Sequence, residues 1–246
     1  MVIQHPVCIF YFTEHYIKIF LMIKASHSRF FDAAFGVYLK AHMRLVFKSI
    51  RINNYFNDKG GPVLLIGNHF SWWDGFIARH INKKILHRKL HLMMEEEQLS
   101  KRRFLSKLGA FSIKKNSRSA QSSLQYATEL LSNSENLLIL FPQGKFQSLH
   151  QHPLTFEKGW FRIIKHAPNN TQVVFMASLV DYFASPRPHL NVYLDSPCCL
   201  SEQSTPESGS ETGNLASLKI FEDASAVEES YNKFLSRCIA AQNSKV

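Results

Sequence analysis

An imidazole and a carboxylate stand close together in the run Asn68-His69-Phe70-Ser71-Trp72-Trp73-Asp74, directly after the apolar stretch Val63 to Gly67. A carboxylate beside an imidazole makes a general base: it fixes the tautomer and steadies the imidazolium as a proton arrives. Five residues correspond to about 500° of rotation at 3.6 residues per turn, so an ideal helix starting here does not superpose His69 on Asp74. A turn ahead of the helix has to bring them together. The same spacing also suits a capping aspartate and a histidine satisfied in the core, so the pair alone leaves both readings open.

Three later runs follow in order: Lys107-Leu108-Gly109-Ala110-Phe111-Ser112-Ile113-Lys114-Lys115, then Leu138-Ile139-Leu140-Phe141-Pro142-Gln143-Gly144-Lys145, then Phe156-Glu157-Lys158-Gly159. With the His/Asp run, this ordered set over residues 63–180 resembles the glycerolipid acyltransferase family typified by 1-acylglycerol-3-phosphate acyltransferases. The resemblance implies an α/β core with its site at the start of the helix after the first strand, facing a membrane surface. It implies that His69 is the base that deprotonates an acceptor hydroxyl, with Asp74 orienting it. The hydroxyl then attacks an acyl thioester, acyl-CoA or acyl-ACP, as co-substrate; no metal and no further cofactor are implied. Substrate contacts are expected from Asn68, Ser71, Lys115, Phe141, Pro142, Gln143, Gly144 and Lys145.

The departures from the family pattern concern the acceptor. Where the family's third block commonly reads Phe-Pro-Glu-Gly-Thr-Arg, this chain reads Phe141-Pro142-Gln143-Gly144-Lys145-Phe146. The usual Arg of the second block falls on Lys115, which keeps the charge but not the bidentate fork suited to phosphate. The run Val173 to Ala177 lacks the proline common before it. These changes weaken a phosphate cradle and leave the His/Asp pair untouched, which makes either a lysophosphatidate-like acceptor or the hydroxyl of a non-phosphate lipid the expectation. A catalytically inactive lipid-binding homologue is the alternative, and the intact pair speaks against it.

Other chemistry-bearing residues carry less. His150 and His152 are the nearest histidine pair, with no third ligand at suitable spacing, and read as a solvated loop. Glu95, Glu96 and Glu97 are consecutive, so on a helix they do not face one another, and a solvated turn is expected. Lys83, Lys84, Arg88, Lys89, Lys101, Arg102 and Arg103 form a basic series without a nucleic-acid module, so the expected partner is anionic lipid or an acidic acyl donor. Trp72 and Trp73 line an acyl or membrane-facing groove, or pack.

The elements that must position these residues read as an α/β fold. Val63 to Gly67, Leu90 to Met94, Ala110 to Ile113, Leu137 to Phe141, Gln172 to Leu179 and Leu190 to Leu194 are strand candidates, mostly separated by helical stretches. Ser119 to Ser132 is the clearest helix, with Leu124, Ala127, Leu130 and Leu131 on one face. This alternation predicts a mixed, largely parallel sheet covered by helices. Residues from about 7 to 50 read as amphipathic helices, so 1–56 is expected to be a membrane-facing arm, 57–200 the acyltransferase domain, and 201–246 a polar loop, 201–217, followed by a helix over about Ala226 to Ala241 that packs back. Aromatic rings mixed with Lys18, Lys24, Arg29, Lys40, Arg44, Lys48 and Arg51 are what an interfacial anchor requires.

Composition agrees with a folded enzyme body and anionic partners. The 246 residues are 45% apolar and 20% charged, which argues against intrinsic disorder. The formal charge of +10 divides into +13 for residues 1–200 and −3 for 201–246, so the basic surface belongs to the main body. Cys8, Cys198, Cys199 and Cys238 make no C-x-x-C spacing and predict structural thiols in a reducing setting. Gln4, His5, Glu14, His15 and Lys18 interrupt the first apolar stretch, so neither a cleaved signal nor a transmembrane helix is expected. A peripheral enzyme on the cytoplasmic membrane face follows.

Overall fold

The structure, a computed structural model, describes residues 22–115, 117, 119–197 and 221–244. The helical reading of residues 7–21, Cys8, Cys198, Cys199 and the polar loop 201–217 lie outside the described residues. Helix α1 (Arg29–Val46) is followed by strands β1 (Ser49–Asn54) and β2 (Val63–Gly67), then α2 (Asp74–Ile81), β3 (Lys89–Glu95), α3 (Glu96–Lys101) and β4 (Ala110–Ile113). Helix α4 (Ser119–Leu130), β5 (Asn136–Leu140), α5 (Phe161–His166), β6 (Gln172–Asp181), β7 (His189–Asp195) and α6 (Ala224–Asn243) complete the order.

Among the described residues, seven strands form one sheet in the order β1-β7-β6-β2-β5-β3-β4, in which β6 and β7 pair antiparallel and the other neighbours parallel. The central strands β2 and β5 are buried along their whole length, as expected for a sheet covered on both faces. Their alternating side chains feed two cores. Leu64, Ile66, Leu138 and Leu140 join α4, α5 and α6 on one face; Val63, Leu65, Leu137 and Ile139 join α1 and α2 on the other.

Two sequence expectations change. The helical reading up to about residue 50, with Arg51 among its cations, gives way to an irregular segment at 22–28, the helix α1, and then β1, which pairs in parallel with β7 from Ser49 to Asn54. Ile50 and Ile52 alternate with polar neighbours over too few residues to outweigh the helical pattern before them, and pairing with a strand 140 residues away decides the outcome. The expected turn at Glu95 to Glu97 is instead the last residue of β3 and the first two of α3. No described helix is long and apolar enough to cross a membrane.

Candidate active site

The His/Asp run occupies the turn between β2 and α2. Asp74 N–H donates to the Ser71 carbonyl at 3.1 Å and Trp73 N–H to Ser71 Oγ at 3.2 Å, closing a tight turn ahead of the helix. That turn folds Asp74 back under His69, with Nδ1 and Oδ2 2.7 Å apart. Oδ2 also accepts the backbone N–H of Phe70 at 2.8 Å and of Ser71 at 2.9 Å. An oxygen already accepting two donors takes a third from imidazole, so the proton sits on Nδ1 and the Nε2 lone pair is left for chemistry.

Asp74 is fully buried, and its Oδ1 has no hydrogen-bond partner among the described residues. Burial pushes its carboxyl pKa up, and the hydrogen bonds from His69, Ser71 and Phe70 only partly oppose that. His69 keeps 24% of its side chain exposed. Its ring stacks on Phe141 at 4.7 Å between centroids and lies 4.3 Å from Phe146 at a 45° tilt. Gly67 makes the first contact possible, because a Cβ there would stand 3.0 Å from the Phe141 ring.

The backbone of His69 is held as firmly as its ring. Gln143, buried at the exit of β5, accepts His69 N–H through Oε1 at 2.5 Å and presents Nε2 to His69 O at 3.4 Å. Gln147 N–H donates to the same carbonyl at 2.9 Å. Asn68 is likewise turned inward: Nδ2 donates to Ser178 O at 2.9 Å and Oδ1 accepts Ser178 N–H at 2.8 Å, tying β2 to β6.

The expected substrate contacts therefore divide. Asn68, Ser71 and Gln143 frame the base from within the fold. Pro142 is buried and its carbonyl accepts Glu157 N–H at 2.8 Å. Lys115 Nζ donates to Gly144 O at 2.6 Å and pairs with Glu157 at 3.0 Å. Gly144 adopts φ +65°, and a Cβ there would lie 2.3 Å from the Glu157 carboxylate. Lys145 is exposed, and Phe146 is 58% exposed beside His69. Sequence reading placed Phe146 and Glu157 in the family runs without expecting them as substrate contacts, and it missed Gln147, whose backbone bond to His69 spans the distance from one strand end to another.

Around this pair lies a broad aromatic surface. Trp72 is 61% exposed and contacts Trp73 and Phe76, while Phe35 of α1 contacts Phe76, Tyr38 and Phe104. Helix α1 is fixed to α2 by Asp32, which bridges buried Arg79 at 2.6 Å and Lys83 at 2.8 Å. His150 and His152 are exposed, and no three His, Cys, Asp or Glu side chains gather as a metal site among the described residues.

A largely parallel α/β sheet with an imidazole–carboxylate pair at the carboxyl end of its central strand has the build of an α/β enzyme. Comparison with known proteins narrows the class. The acyltransferase family model matches residues 49–179, more than half of the chain, and the chain belongs to that family. Membership makes it a transferase of acyl groups. No curated protein matches the chain.

Proposed function

We propose that the protein transfers a fatty acyl group from an acyl thioester, acyl-CoA or acyl-ACP, to a hydroxyl of a membrane lipid, with His69 as general base. The observation that carries this reading is the 2.7 Å Nδ1–Oδ2 bond, which leaves Nε2 free on a partly open ring. Nε2 takes the proton of the acceptor hydroxyl as its oxygen attacks the thioester carbonyl. The C–S bond breaks as the tetrahedral intermediate collapses, and the imidazolium returns its proton to the departing thiolate. Asp74 holds the tautomer and stabilises the imidazolium between those steps. No acyl-enzyme is required.

The acceptor approaches from an anionic membrane surface, in this reading. Helix α1 buries Leu39 and Met43, yet Phe30, Val37 and Leu45 form a second apolar stripe on its opposite side, with Phe30 84% and Leu45 70% exposed. Arg29, Lys40 and Arg44 border that stripe at helical spacing, matching an apolar bilayer edge with anionic headgroups. Lys145 and Phe146 are the third-block residues left to meet the acceptor. An aromatic ring rather than an ion pair beside His69 favours a headgroup with an apolar face, such as a sugar or polyol hydroxyl, over a phosphate next to the reacting oxygen.

Incubating the protein and its His69→Ala variant with mixed acyl thioesters and a total lipid extract tests the proposal by mass spectrometry. A new acylated lipid made by the unaltered protein alone supports it and names the acceptor. Vesicle binding with no product from any donor points instead to a lipid-binding homologue.

A further inference from the structure

The family match ends at residue 179, but the site does not stop there. Helix α6 packs Tyr231, Phe234 and Leu235 against the sheet, and Tyr231 OH donates to Met176 O at 2.6 Å. From the same helix, one turn apart, Glu228 and Asn232 reach the loop that follows β5. Glu228 Oε2 accepts Phe156 N–H at 2.5 Å. Asn232 Oδ1 accepts Leu154 N–H at 2.8 Å, and its Nδ2 donates to Leu154 O at 2.9 Å. Two side chains thus grip alternate residues of an extended segment as a neighbouring strand would.

The opposite edge of that segment leads to the base. Gln147 Nε2 donates to Thr155 O at 3.2 Å and to Thr155 Oγ1 at 3.1 Å, and Gln147 N–H holds the His69 carbonyl. Two residues after Thr155, Glu157 pairs with Lys115 and packs against Gly144. A small cavity beside His69 is walled by Gln147, Leu154 and, from α6, Leu235. Through segment 154–157, α6 therefore sets the wall of the site that faces the His69–Asp74 pair.

We infer that Glu228 and Asn232 are positioning residues for the acceptor side of the site. They touch neither the base nor its carboxylate: the His69 ring is fixed by Asp74 within the β2–α2 turn, and its backbone by Gln143 and by the main-chain N–H of Gln147, which does not depend on the Gln147 side chain that meets Thr155. Loosening them moves the wall and leaves the proton chemistry in place. This inference rests on the acyl-transfer reading for its kinetic arm only.

The test compares Glu228→Ala, Asn232→Ala and the conservative Glu228→Gln, which keeps an acceptor for Phe156 N–H. Turnover is read as CoA thiol release from palmitoyl-CoA at varied concentrations of dispersed total lipid extract. Hydrogen–deuterium exchange is followed over residues 150–158. One net hydrogen bond corresponds to about a 2- to 12-fold effect, so each alanine variant is expected to raise KM for the extract by about 3- to 10-fold. Its pH profile of kcat should overlay that of the unaltered protein, exchange at 154–156 should quicken, and Glu228→Gln should stay close to the unaltered protein in both readouts. A fall in kcat at constant KM means a smaller folded fraction and overturns the inference, as does unchanged exchange. If the unaltered protein releases no thiol from palmitoyl-CoA, the acyl-CoA branch of the proposed function fails separately, and exchange alone decides whether α6 holds the loop.

Discussion

Replacing Asp74 by Asn isolates what its charge contributes. The three donors on Oδ2, namely His69 Nδ1 and the N–H groups of Phe70 and Ser71, select the orientation in which the Asn carbonyl takes that place. Geometry and tautomer are then kept while the charge is lost. At 2.7 Å and an effective dielectric of 20, the attraction of a carboxylate for imidazolium is about 6 kcal/mol. A neutral carbonyl dipole retains part of this, which leaves about 4–5 kcal/mol and a fall in kcat of about 10³- to 10⁴-fold. Stability should respond with a definite sign. Burial raises the Asp74 pKa above its unfolded value of 3.8, so at a pH between the two values the folded state holds a proton that the unfolded state has released, and above both the carboxylate is ionised in each. Stability of the unaltered protein is therefore lost as pH climbs from 3.8 through the raised value, and the Asn variant lacks that loss. Against this, the Asn amide nitrogen occupies the Oδ1 position, which has no partner among the described residues, at a cost of about 1–3 kcal/mol. Thiol-release kinetics and urea unfolding at several pH values read the two effects. Near-normal turnover, or a stability difference that moves against the variant as pH rises, would refute the reasoning.

Three further outcomes follow from the same contacts. Gly144→Ala places a methyl group on the Glu157 carboxylate at a φ of +65°, where strain alone costs about 1–2 kcal/mol, so thermal unfolding should come earlier and the Lys115–Glu157 pair should open. His91 is buried, and burial together with neighbouring His27 lowers its pKa from 6.5 to about 4, with Asn136 opposing only in part. Its stabilisation is complete above pH 6.5 and is lost as pH falls, by about 2 kcal/mol between pH 7 and 5; His91→Leu should flatten the unfolding profile over that window. Changing Val37 and Leu45 to Ser should weaken sedimentation with anionic vesicles while leaving the melting temperature nearly unchanged, because neither side chain lies in the core; unchanged sedimentation would move the membrane face elsewhere.

Much of this organisation is written locally. Mainly apolar runs mark β2 to β7 within one or two residues, and those of β2 and β5 are continuous because a strand covered on both faces needs no polar alternation. The turn that unites His69 and Asp74 follows from their helical phase mismatch. β1 is less legible, since Ile50 and Ile52 have too little company to signal a strand and gain their reason only from β7. The roles of Asn68 and Gln143 were equally hidden. An amide in a motif reads as a substrate contact, whereas the partners that satisfy these two, Ser178 and the His69 backbone, are brought near by strand order. Glu228 and Asn232 sit on an unremarkable amphipathic helix, and nothing in its periodicity points to Leu154 or Phe156.

Strand order also separates two departures that sequence reading groups together. The connection leaving β2 carries α2 to one face of the sheet and that leaving β5 carries α5 to the other, so the two loops part at the strand ends and open a crevice there. His69 comes from one loop, and Phe141, Gln143 and Phe146 from the other. Gln143 serves both backbone groups of His69; an ionised Glu could serve the N–H alone and would turn its second oxygen on a carbonyl 3.4 Å away. Phe146 instead faces outward over the ring. Gln143→Glu should therefore lower kcat on every acceptor by disturbing the base, unless the new carboxyl takes up a proton. Phe146→Arg alone should bring whatever gain lysophosphatidate shows, because only that position puts a cation beside the reacting hydroxyl. A gain produced by Gln143→Glu by itself would mean that residue 143 selects the acceptor rather than holding the base.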